Sequence, residues 1–159
     1  MKVKRIIFVC HGNICRSPMA EFIFKNMAEK RGVSDAFSVC SRATSAEEIW
    51  HGVGRPIYPK AKAQLLKRGI SSGGKQAVQL SKDDYNEADM LIGMDSANIH
   101  NMEILFGGDP KCKIYKLLEF TGSKSDVADP WYSGDFDKAY NDIEKGCDAL
   151  LNFLLCENS

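Results

Sequence analysis

Four short apolar runs, at residues 5–10, 37–41, 89–94 and 113–118, alternate along the chain with stretches of helical periodicity. Runs of this length, apolar on consecutive positions, read as strands of a parallel sheet buried on both faces. The helical patterns lie at residues 18–31, 59–68, 96–106 and 136–155. The first carries Met19, Phe22, Ile23 and Met27 on one side and stops at Gly32, while the second and third end at Gly69 and at Gly107-Gly108. Glycine ends helices there because it adopts the left-handed cap without strain. The last pattern spaces Phe136, Tyr140, Ile143, Cys147, Leu150 and Leu154 by four and three, which makes a single apolar stripe. Alternation of this kind predicts an α/β fold, an open parallel sheet with right-handed connections and helices on both faces.

At 159 residues the chain is expected to form a single domain, 1–159, large enough to bury a core without disulfides. Lysine plus arginine equal aspartate plus glutamate at 21 each, so no global field draws in nucleic acid or an anionic membrane, and any anion site must be local. The apolar run at residues 6–10 is too short for a signal peptide or a membrane span, which makes the cytoplasm the default compartment. Six cysteines in that compartment are core residues or reactive thiols rather than a disulfide framework. Residues 44–58 and 122–134, rich in Gly, Pro, Ser and Asp, read as long loops, which often border a site.

The first strand stops at Cys10, and "CHGNICRSP" follows. In an open α/β sheet ligands bind beyond the carboxyl ends of the strands, so this motif falls at the functional edge. A tight arc from His11 to Arg16, entering a helix with Ser17 as N-cap and Pro18 at its first position, would turn backbone amides inward around a tetrahedral oxyanion. Gly12 accepts a positive φ freely, and Asn13 is among the few other residues that tolerate one. Arg16 offers a planar fork of donors that matches two phosphate oxygens. Cys10 at the bottom of such a cradle, near a helix terminus, Arg16 and Ser17, has the surroundings that favour a thiolate nucleophile.

The spacing Cys-x5-Arg followed by Ser is that of cysteine-dependent phosphatases, and the longer string resembles the low-molecular-weight protein tyrosine phosphatase family. The resemblance continues through Ser41-Arg42-Ala43-Thr44-Ser45, Trp50, Gly54, Pro56, "IGMD" at residues 92–95 and "ADPWY" at residues 128–132. It implies a four-stranded parallel sheet in the order 2-1-3-4 and hydrolysis of phosphotyrosine and aryl phosphates through a cysteinyl-phosphate. Cys10 would be the nucleophile, Arg16 the clamp on the phosphate and transition state, and Asp129 the general acid and then base. His11, Gly12, Asn13, Ile14, Cys15, Arg16 and Ser17 would form the phosphate-binding loop, with Asn13 and Ser17 shaping it and stabilising the thiolate. Trp50, Trp131 and Tyr132 would wall the cleft. Cys15 stands where the family places a second cysteine that forms a reversible disulfide with the nucleophile. The implied partners are phosphotyrosine-containing proteins, with inorganic phosphate or another oxyanion as product or inhibitor. Neither a metal nor another cofactor is called for, because Arg16 and the amides supply the positive potential.

Two positions depart from the pattern. His11 stands where the family commonly has an apolar residue, and this chain has Lys75 near the position where mammalian members carry a histidine that supports the phosphate loop. Asp95 is expected to cap the helix after the third strand, with a tie into the site as its alternative. The string at residues 69–76 nearly matches a nucleotide-binding loop, but Gln76 replaces the Ser or Thr that would hold Mg²⁺ and a helix precedes it. Two alternatives to the hydrolase remain, an arsenate reductase on the same fold and a non-catalytic phosphotyrosine-binding module. The first needs a further thiol pair in a mid-chain loop, and the second would normally lack the nucleophile or the acid.

Overall fold

The computed structural model describes residues 2–157. Strand β1 (Lys4–Cys10) leads through the "HGNIC" loop into helix α1 (Arg16–Lys30), and β2 (Phe37–Ala43) follows. A hairpin of two short strands, β3 (Ile49–Trp50) and β4 (Val53–Gly54), precedes α2 (Pro59–Leu66) and α3 (Lys82–Glu87). The chain continues through β5 (Met90–Gly93), α4 (Ser96–Phe106), β6 (Ile114–Lys116), α5 (Pro130–Ser133) and α6 (Phe136–Glu157). The main sheet is parallel in the order β2-β1-β5-β6. Numbering its four strands in chain order gives 2-1-3-4, as the resemblance implied.

Strand β1 sits in the middle, and its alternate residues serve two cores. Ile6, Phe8 and Cys10 face a layer that contains Met19, Ile23 and Phe24 of α1 and the stripe of α6. Ile7 and Val9 face Tyr85 of α3 and Met102 of α4. This is why β1 reads as a continuous apolar run, since neither side of a central parallel strand meets water. All six residues of the α6 stripe are buried. Gly146, beside Cys147 of that stripe, is glycine for a steric reason, because a Cβ there would lie 2.5 Å from Leu117 Cγ.

Several expected boundaries change. The fourth apolar run is strand only over Ile114–Lys116, after which Leu117–Thr121 tighten into a 3-10 turn that carries Leu117 under α6. Helix α3 escapes periodicity analysis because it has only six residues, and a Ser81/Asp84 capping box closes its start. The expected loop at 44–58 contains the β3–β4 hairpin. Gly54 fixes this hairpin against the segment at residues 75–80, since a Cβ on Gly54 would overlap the Ala77 carbonyl. Among the described residues no helix is long and apolar enough to cross a membrane.

Candidate active site

The sheet delivers Cys10 to its carboxyl edge, where the thiol is 3% exposed. The loop after it is shaped by where its carbonyls go. Cys10 O accepts from Thr44 N and His11 O from Ser45 N, each at 3.0 Å, and Ile14 O accepts from Tyr58 N at 2.9 Å. Because each peptide is planar and trans, the N–H groups of Gly12 and Cys15 turn away from these outer contacts, into the arc. Asn13 makes the reversal, at φ 58°. Gly12, expected to supply the left-handed residue, does not adopt a positive φ. Its lack of a side chain serves close approach, since a Cβ would lie 3.2 Å from Glu48 Cγ.

Three donors converge on Cys10 Sγ. Asn13 N lies 3.3 Å away, Ser17 N 3.4 Å and Ser17 Oγ 3.0 Å. The direction of the hydroxyl follows from its neighbours. Val78 N donates to Asn13 Oδ1 at 3.0 Å, which turns Asn13 Nδ2 onto Ser17 Oγ at 2.8 Å. With one lone pair taken by Asn13, the Ser17 hydroxyl keeps its proton available for the sulfur 3.0 Å away. A chain of hydrogen bonds thus runs from the segment at residues 75–80 to Cys10 Sγ. Ser17 is not the N-cap expected of it: α1 begins two residues earlier than expected, at Arg16 with Cys15 as N-cap, and the Ser17 hydroxyl is committed to Cys10.

Arg16 is 3% exposed and held on three sides. Its Nη1 donates to Asp95 Oδ2 at 2.7 Å and to Val127 O at 2.9 Å, and its Nη2 lies 3.5 Å from Asp129 Oδ2. Burial works against the guanidinium charge, but the Cys10 sulfur, Asp95 and Asp129 outweigh it and hold the group above its ordinary value. Asp95 therefore fills both roles weighed for it. One oxygen accepts from Asn98 N at 2.8 Å and caps α4, while the other orients Arg16.

Asp129 N-caps the one-turn helix α5, accepting from Trp131 N at 3.0 Å through Oδ1. Pro130 at the first position of α5 sets the backbone there, which leaves Oδ2 toward Arg16. These groups open into a cleft of about 100 Å³ lined by Cys10, His11, Gly12, Ile14, Cys15, Arg16, Glu47, Glu48, Asp129, Trp131 and Tyr132. Drug-sized sites are commonly ~300–1,000 Å³, so this cleft admits only a small group. Trp50 is not among the lining residues. It stands on β3, 74% exposed, with its ring edge-on to His51.

Cys15 faces the same cleft as a protonated thiol, pushed up to about 12 by burial and then by the nearby Cys10 and Asp129 charges. Lys75 does not touch the phosphate loop. Its Nζ donates to Ser41 O at 3.2 Å, beside Glu21, which accepts from Ser41 Oγ at 2.6 Å and from Lys25 Nζ at 2.7 Å. Burial lowers the Lys75 pKa. The loop's support comes instead from a backbone group, Val78 N, which no side-chain motif announces. Glu47 and Glu48 were likewise missed, because a pair of glutamates in a polar loop carries no periodic or motif signal.

The model of the family described as low molecular weight phosphotyrosine protein phosphatase matches residues 5–158. The low molecular weight protein-tyrosine-phosphatase YfkJ of Bacillus subtilis is 36% identical over 148 residues, 92% of either chain. The crystal structure of YfkJ superposes with a TM-score of 0.94 at 34% identity, covering 100% of this chain and 99% of that one. The low molecular weight protein tyrosine phosphatase of Streptococcus pyogenes gives 0.84 at 37% identity, covering 96% and 93%. A structure described as the YwlE arginine phosphatase gives 0.81 at 29% identity, covering 94% and 95%. The match runs through the loop that holds Cys10 and Arg16 and through the Asp129 turn, and by it the chain belongs to the low molecular weight phosphotyrosine protein phosphatase family.

Proposed function

We propose that the protein hydrolyses phosphotyrosine in proteins, and small aryl phosphates, in the cytosol through a phosphocysteine on Cys10. The observation that carries this reading is the convergence on one small cleft of a thiol under three donors, a buried arginine and a carboxyl 3.5 Å from that arginine. Arg16 and the loop amides hold the phosphate and the charge that its equatorial oxygens carry in the transition state. The Cys10 thiolate attacks phosphorus in line as the phenolic oxygen leaves. That oxygen has a pKa of ~10 as free phenol, so its departure needs a proton from Asp129, an effect commonly of about 10²–10⁴-fold. The ionised Asp129 then takes a proton from the water that attacks the phosphocysteine and releases inorganic phosphate.

A second reading is hydrolysis of phosphoarginine, the substrate class in the description of YwlE. The carboxylates of Glu47 and Glu48 in the lining favour it. The apolar and aromatic walls supplied by Ile14 and Trp131 favour a ring over a guanidinium, whose N–H groups they would leave unpaired. Matched peptides carrying phosphotyrosine or phosphoarginine separate the two. Phosphate release from the phosphotyrosine peptide is expected to be faster by at least about tenfold, and the reverse order would overturn the assignment. Arsenate reduction is the weaker reading, since among the described residues Cys15 is the single cysteine besides Cys10 in the cleft lining and no further thiol pair stands beside it.

The same reading gives Cys15 a protective role. A peroxide oxygen accepts the attack of the Cys10 thiolate, hydroxide leaves, and a sulfenic acid results. The Cys15 sulfur then displaces water to close a disulfide, which a dithiol reductant reopens. After brief peroxide treatment the wild type should regain most of its activity in dithiothreitol, whereas Cys15→Ala should regain less than about half. Equal recovery would remove this role.

A further inference from the structure

The mouth of the cleft is built unevenly. Trp131 and Tyr132 stand on one side, 60% and 86% exposed, and Glu47 and Glu48 form another part of the lining. Neither carboxylate is a loose surface charge. Glu47 N donates to Ser45 Oγ at 3.0 Å, and Glu47 Oε2 meets His11 Nε2 at 3.0 Å, so this charge is fastened to the residue that follows the nucleophile. Glu48 packs against Gly12, while Arg55 Nε lies 3.5 Å from its Oε2. The Arg55 guanidinium, which always carries its charge, offsets Glu48; among the described residues no lysine or arginine pairs with Glu47, and its exposed carboxylate dominates the outer edge. Arg16 is sealed at the floor, and the His11 ring is already engaged with Glu47.

We propose that Glu47, held in place by His11, is a specificity-determining residue that selects phosphotyrosines flanked by lysine or arginine and rejects those flanked by acidic residues. This rests on the phosphotyrosine reading above. With the phosphate on Arg16 and the ring between Ile14 and Trp131, the substrate backbone must cross the mouth, and the residues beside the phosphotyrosine pass the Glu47 edge. A carboxylate fixed by His11 pays little ordering cost when it meets a cation, and it repels an acidic neighbour in every pose. The chain's balance of 21 positive and 21 negative side chains supplies no overall field to override this local one.

The test uses two phosphotyrosine peptides that differ only in lysine or glutamate at the positions flanking the phosphotyrosine, with kcat/KM divided by that of a small aryl phosphate for the same variant. The wild type should favour the lysine peptide by about 3- to 10-fold at low salt, and the ratio should shrink as ionic strength rises. Glu47→Gln should reduce the ratio, and Glu47→Lys should bring it to about one or below. A wild-type ratio near one, or a ratio that survives in Glu47→Lys, would overturn the inference while leaving the phosphotyrosine reading intact. Failure to cleave either peptide, with a phosphoarginine peptide cleaved, would overturn that reading and the inference with it.

Discussion

Replacing Cys10 with serine lowers turnover of an aryl phosphate by at least about 10⁴-fold and leaves binding of phosphate or vanadate within roughly tenfold of wild type. The two halves of this expectation have different structural origins. Turnover depends on the sulfur, to which Asn13 N, Ser17 N and Ser17 Oγ all point. Binding depends on the loop amides and Arg16, which is held by Asp95 and Val127 and does not need the sulfur to keep its place. A serine hydroxyl accepts the same donors but is far less ionised, so the cradle survives without its nucleophile. Measurable steady-state turnover in Cys10→Ser would mean that the phosphoryl group is transferred directly to water. Absence of turnover in the wild type, with phosphate still bound, would instead describe a binding module.

The second large effect belongs to Asp129, and it should depend on the leaving group. With phosphotyrosine or phenyl phosphate, loss of the acid should slow cleavage by about 10²–10⁴-fold. With an activated ester whose phenol is a weak base, cleavage should fall much less. Asp129→Asn is the cleaner variant than Asp129→Ala. The amide oxygen can still accept from Trp131 N and cap α5, whereas alanine removes the cap and releases a turn that carries Trp131 and Tyr132 into the cleft. Equal losses on both classes of ester in Asp129→Asn would exclude Asp129 as the acid. A loss seen only in Asp129→Ala would assign it to the cap.

Much of this arrangement was legible in order along the chain. β1 announces itself because a central parallel strand is apolar on both faces, and the α6 stripe because a helix on one face of a sheet buries one side. The Cys10 to Arg16 spacing and the Asp129-Pro130 turn are local patterns, and Asn13 betrays itself by being a residue that accepts positive φ. What sequence reading got wrong was also local. Ser17 and Gly12 were assigned the roles those residue types most often take at a helix start and a tight turn. In the folded protein the Ser17 hydroxyl is drawn to Cys10, and the missing side chain of Gly12 makes room for Glu48.

The sequence by itself determined the α/β layering, the position of the loop at the carboxyl edge of β1, and the residues proposed to attack, clamp and protonate. Those depend on periodicity and on contacts between neighbours in the chain. Tertiary structure alone decided that Asp95 and Val127 O hold Arg16 and that Val78 N sets the Asn13 amide. It also decided that Glu47 reaches His11, and that Trp50 stands out from the cleft lining. Each of these joins residues tens of positions apart through a single hydrogen bond or one exposed rotamer. No periodicity or propensity encodes such a pairing, which exists only once the sheet has brought its loops to one edge.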